Sequence, residues 1–120
     1  MKYDLTYDDD TKCIICKMSG KLHLSDLPQY GSDLASMLKK HPCKRVLQDL
    51  TEVDLKLSVV DFFDVPKLAR ERDIGYDVKR AIIFARDAEN WRFYETVTVN
   101  RSGNVRVFSD SNKAMEWLME

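Results

Sequence analysis

The sequence predicts an α/β fold with element order ββαβαβαβα, a mixed, mostly parallel sheet and helices packed against it. Three observations point there. The chain opens on two short alternating segments parted by an acidic turn, Asp8-Asp9-Asp10. Beyond them, short apolar runs alternate with stretches of 3.6-residue period. One run, Lys79–Ala85 (KRAIIFA), has a solid apolar centre, which suits a parallel strand covered on both faces. A chain of 120 residues fits one domain over 1–120. It is long enough to bury roughly two-thirds of its unfolded surface without disulfides or metal.

The elements follow in order. Tyr3, Leu5 and Tyr7 alternate with Lys2, Asp4 and Thr6, the period of a strand with one buried face. Thr11 to Met18 forms the second strand, centred on Ile14 and Ile15, and closes an antiparallel hairpin. Gly20 is expected to break it, with Leu22 and Leu24 continuing weakly. A helix is expected to open at Ser25, with Asp26 behind it and Pro28 in the first turn. Leu27, Tyr30 or Gly31, Leu34 and Leu38 carry its period to Lys40, and His41-Pro42 stops it, because the residue before proline is pushed out of the α region.

Lys44 to Arg72 reads as the organising unit of strand, polar loop and helix. Arg45 to Leu50 is its buried strand, with Asp49 near the end, and Ser58 opens the helix. Val59, Phe62 or Phe63, Pro66 and Ala69 keep helical spacing there. Pro66 is expected to kink this helix or divide it. Ala88 to Asn100 reads as a helix through Trp91, Tyr94 or Glu95 and Thr98, although the β-branched run TVTVN competes as a strand. Val105 to Phe108 is the last strand. Asp110 caps a final helix with Ala114, Trp117 and Leu118 inward.

Nineteen basic and 20 acidic residues give a net charge of −1, so no nucleic-acid partner is expected. No apolar run approaches the ~18 residues of a membrane span. The start, MKYDLTYDDD, lacks a signal-peptide core, so a cytoplasmic protein is expected. Three cysteines, an odd number, fit a reducing compartment. Cys13 and Cys16 would point to opposite faces of a strand, which leaves no zinc or redox pair, and no metal is expected. The four glycines are isolated, so there is no phosphate-cradling loop and no cofactor is expected. His23 and His41 lack a serine or cysteine nucleophile motif beside them, and the chain reads as no enzyme. An enzyme built on Asp49 with Tyr94 or His23 is the third-ranked alternative.

Asp49, Thr51 and Ser58 form the best polar cluster. Loops at the carboxyl ends of strands are where open α/β sheets place their sites. A helix start with hydroxyls can hold an anion or a ligand's polar head, and it can equally be a capped helix with a tied loop. Phe62, Phe63, Trp91, Phe93 and Tyr94 supply more aromatic bulk than one stripe uses. The surplus either lines a pocket or a homodimer interface, or belongs to a wide stripe over the sheet.

ICKMSGKLHLSDL, RVLQDLTEVDLKLS, RAIIFA and the ending VRVFSDSNKAMEWL, in this order and spacing, resemble the SpoIIAA-like family of small bacterial proteins. That family is grouped with the STAS and CRAL-TRIO folds, and the resemblance covers essentially the whole chain. It implies a STAS/SpoIIAA-like fold. From the CRAL-TRIO side it implies an apolar or lipid-like small-molecule cavity. From the STAS side it implies a regulatory protein partner and a phosphorylated serine near Ser58, as in anti-sigma-factor antagonists. Their Asp-Ser-Ser-Gly-like motif is absent, since Lys56, Leu57, Val59 and Val60 flank Ser58. The expected binding residues are therefore Asp49, Thr51, Ser58, Phe62, Phe63 and Tyr94, with Ser58 the phospho-acceptor of the alternative.

Overall fold

The structure is a computed structural model that describes residues 1–120. Its elements are β1 (Lys2–Asp8), β2 (Cys13–Leu22), α1 (Leu27–Lys40), β3 (Arg45–Leu55), α2 (Val59–Arg70), β4 (Lys79–Ile83), α3 (Ala88–Asn100), β5 (Val105–Phe108) and α4 (Ser111–Leu118). A single 3-10 turn, Leu24–Asp26, precedes α1. The sheet runs β1-β2-β3-β4-β5. β1 lies antiparallel to β2, and every later neighbour is parallel. The order ββαβαβαβα and the mixed, mostly parallel sheet are as the sequence predicts.

Alternation along the strands sorts side chains to two faces. Ile14, Cys16, Met18, Val46, Leu50 and Ile82 point to one side, where α1, α2 and α3 contribute Tyr30, Leu34, Phe62, Trp91 and Tyr94. Cys13, Ala81 and Ile83 point to the other, where α4 adds Ala114 and Leu118. Cys13 and Cys16 thus face opposite layers, as their spacing requires. TVTVN is helical because Val97 and Thr98 bury one stripe of α3 against the sheet side.

Several boundaries differ from expectation. β2 is not broken at Gly20. It continues to Leu22, with Gly20 paired to Val53 and held at φ +94°, a backbone region open to glycine. α1 begins at Leu27, not Ser25, because the Asp26 carboxylate accepts the His23 N–H at 2.9 Å and winds a 3-10 turn first. α2 runs through Pro66 undivided, with the proline ring buried. The largest difference is β3, which extends beyond Leu50 to Leu55. Lys17 pairs with Asp49 but Ser19 pairs with Glu52, so β3 carries an extra residue, a β-bulge. The Asp49 carboxylate accepts from the Thr51 N–H at 3.1 Å and the Thr51 hydroxyl at 2.7 Å, stitching that bulge.

The turn after α3 fixes one stability prediction. Gly103 is buried and donates its N–H to the Thr98 carbonyl at 2.8 Å. A Cβ there would lie 2.3 Å from Thr98 Cγ2 and 3.0 Å from the Thr98 carbonyl oxygen. Gly103→Ala is expected to lower stability by about 1–3 kcal/mol through overpacking. Its urea midpoint checks this, and an unchanged midpoint would show that the turn yields freely.

Candidate functional site

α2 packs on α1 and α3 and bridges above the sheet between them. On the α1 side, Arg72 reaches back across Gly31. Its Nε donates to the Pro28 carbonyl at 3.1 Å and to Ser32 Oγ at 3.2 Å, and its Nη1 donates to the Leu68 carbonyl at 3.0 Å. On the α3 side, Phe62 and Phe63 each meet the Phe93 ring edge-on, with centroids 5.9 Å apart. Arg70 donates to the Arg101 carbonyl at 3.1 Å, and the Arg101 guanidinium lies 5.2 Å from the Phe63 centroid.

Beneath this bridge lies a cleft of about 80 Å³. Met18, Leu50 and Ile82 are its floor, and Phe62, Val65 and Leu68 its roof. Five side chains on its wall carry hydrogen-bonding atoms: Tyr30, Gln48, Arg80, Tyr94 and the indole N–H of Trp91. The Tyr30 hydroxyl donates to Gln48 Oε1 at 2.7 Å in a fully buried bond. Arg80 is 5% exposed, and its Nε meets no acceptor. No aspartate or glutamate lines the cleft.

Burial governs the acids around this core. It pushes the Cys16 thiol from 9.0 up to about 11, against the opposing effect of the Tyr30 hydroxyl. It also holds the Tyr30 phenol well above its ordinary range. Tyr3, whose hydroxyl donates to Asp33, rises from 10.0 to about 12, by desolvation first and then by that bond and the Asp33 charge. The unfolded chain therefore releases these protons at lower pH than the folded one. The stability these groups contribute is complete below pH 9.0 and is lost as pH rises through about 12. The expected result is a urea midpoint that declines over this range, with the early part of the decline flattened in Cys16→Ala. A midpoint level to the top of the range would contradict it.

No family model and no curated protein matches the chain. Solved structures do. An uncharacterised protein of the DUF3478 family with a SpoIIAA-like fold, from Shewanella loihica PV-4, superimposes with TM-score 0.62 at 27% identity, covering 98% of this chain and 92% of that one. The chain has a SpoIIAA-like, STAS-type fold. An anti-sigma factor antagonist from Mycobacterium paratuberculosis shares the fold, with TM-score 0.63 at 13% identity over 99% of this chain and 96% of that one.

In this SpoIIAA-like domain the sequence-predicted site residues fall in three places. Phe62 and Tyr94 line the cleft. Ser58 and Phe63 stand outside it, exposed at the start and edge of α2. Asp49 and Thr51 do not gather with them, which corrects the expected cluster. Asp49 pairs with Ile83, whose side chain joins the α4 layer, so Asp49 lies across the sheet from the cleft. An Asp49–Tyr94 pair is therefore excluded by topology, and His23 is exposed at the end of β2. Gln48 and Arg80 were missed. Period two could have found both, since Val46, Gln48 and Leu50 share a face, as do Arg80 and Ile82. No helix is long and apolar enough to cross a membrane.

Proposed function

We propose that this domain is a non-catalytic STAS-type regulator that docks a protein partner on the first turns of α2. One observation carries the proposal: the Ser58 hydroxyl is exposed at the α2 start amid uncovered apolar side chains. Val60 is 71% and Phe63 41% exposed, and Val59 lies beside them. Asp61 and Asp64 edge this patch, so a partner presenting apolar side chains flanked by lysine or arginine fits it. The fold neighbour described as an anti-sigma factor antagonist supports a protein-binding role.

Ser58 is the natural switch. Its Oγ accepts the Asp61 N–H at 3.2 Å, while the Asp61 carboxylate accepts the Ser58 N–H at 2.9 Å. A phosphate on Oγ would set like charge against Asp61, open this reciprocal cap and change the face the partner reads. Thr51 is unsuited to the same role, since its hydroxyl is committed to Asp49. The test compares partner recovery from the cells that make the protein. Val60→Glu and Ser58→Glu are expected to lose a partner that wild type and Ser58→Ala retain. Equal recovery with all of them would contradict the proposal.

A second reading, a small apolar ligand held in the cleft, is supported by the cleft itself with Phe62 and Tyr94 on its wall. Native mass spectrometry of the purified chain tests it, and a co-purifying small molecule is the expected result. Recovery of the bare chain mass alone would count against a tightly held resident ligand.

A further inference from the structure

The cleft carries a charge that nothing in the chain neutralises. Arg80 takes part in none of the ion pairs of the protein. It sits in a sheet row between Val46 and Val105, with Ile82 next on the same face. Taking a guanidinium out of water without a counterion is strongly unfavourable, so a buried orphan of this kind needs an explanation. The other polar groups on the wall have the same bias. Gln48 spends its Oε1 on Tyr30, which leaves its amide N–H groups to donate, and Tyr94 brings a further hydroxyl. Everything else around them is apolar or aromatic, apart from the Gly31 backbone. Donors without an acid, set in an apolar wall, match a molecule with an anionic head and an apolar body.

We infer that the cleft under α2 binds a small apolar carboxylic acid. Its carboxylate lies against Arg80 and Gln48, and its hydrocarbon lies among Leu34, Phe62, Ile82 and Trp91. This rests on the cleft-ligand reading above and adds to it the charge and chemical class of the ligand. Arginine suits the role because its planar fork matches a carboxylate and it stays charged when buried. A free volume of about 80 Å³ favours a short-chain acid over anything the size of a membrane lipid.

Calorimetric titration of the full chain with hexanoate and with 1-hexanol tests this, on wild type and on Arg80→Met. Hexanoate is expected to bind wild type more tightly than hexanol does, and to lose about tenfold or more in Arg80→Met. Hexanol binding is expected to be indifferent to that substitution. Equal binding of both probes to wild type overturns the carboxylate assignment and leaves the cleft reading standing, and this comparison holds even where Arg80→Met does not fold. Hexanoate binding unchanged in a folded Arg80→Met likewise overturns the assignment alone. Failure of both probes to bind wild type overturns the two together.

Discussion

Phe62→Ala is expected to lower the stability of this domain by about 3–5 kcal/mol, the cost of truncating a large core aromatic. Phe62 is the largest of the fully buried side chains. With Pro66 it is one of the two buried residues of α2, and its ring meets Phe93 at 5.9 Å and Tyr94 at 6.0 Å. α2 bridges over a cleft, so removing the largest side chain it buries should loosen the roof. Against a total stability of about 5–15 kcal/mol for an ordinary domain, that is a large fraction. Chemical denaturation followed by tryptophan fluorescence measures it, because Trp91 shares the cleft wall. A loss below about 1 kcal/mol would mean that α2 is anchored elsewhere, and the bridge description would be wrong.

Arg80→Met is expected to act in the opposite direction, raising stability by about 1–4 kcal/mol. The substitution keeps an unbranched chain of similar reach and removes a buried charge whose Nε has no acceptor. Thermal melting should rise by several degrees for a chain of this size. A melting point that falls would show that the guanidinium is well satisfied in the folded state, for instance by the turn at Gly103, which passes close to Arg80 Nη2. A gain in stability coupled to a loss of hexanoate binding would mark Arg80 as a residue kept for binding at the expense of the fold.

Much of this architecture is legible in the residues. The hairpin, the alternation of strand and helix and the final capped helix follow from period and punctuation. So does the separation of Cys13 from Cys16 onto opposite faces. What was lost has identifiable causes. TEVDL looks like a loop because the bulge at Thr51 shifts the phase, so the inward residues run Val46, Gln48, Leu50 and then Val53 and Leu55. Counted straight through, that pattern breaks, and β3 reads as half its length. Asp49 consequently looks like the end of a strand at a site, whereas it stabilises a bulge inside one. Phe62 and Tyr94 are legible as inward candidates of their helical stripes. The cleft is not, because it depends on how far α2 stands from the sheet. That distance is set by contacts remote in sequence, such as Arg72 on Pro28 and Phe63 on Phe93.

That α2 and the cleft beneath it form the binding side of this domain is tested most directly by methyl-resolved NMR of the full chain titrated with hexanoate. The expected result is a saturable shift of Leu34, Leu68 and Ile82, which line the cleft, with Ile83, Ala114 and Leu118 on the α4 side unmoved. Shifts concentrated on the α4 side, or none on either side, would contradict it.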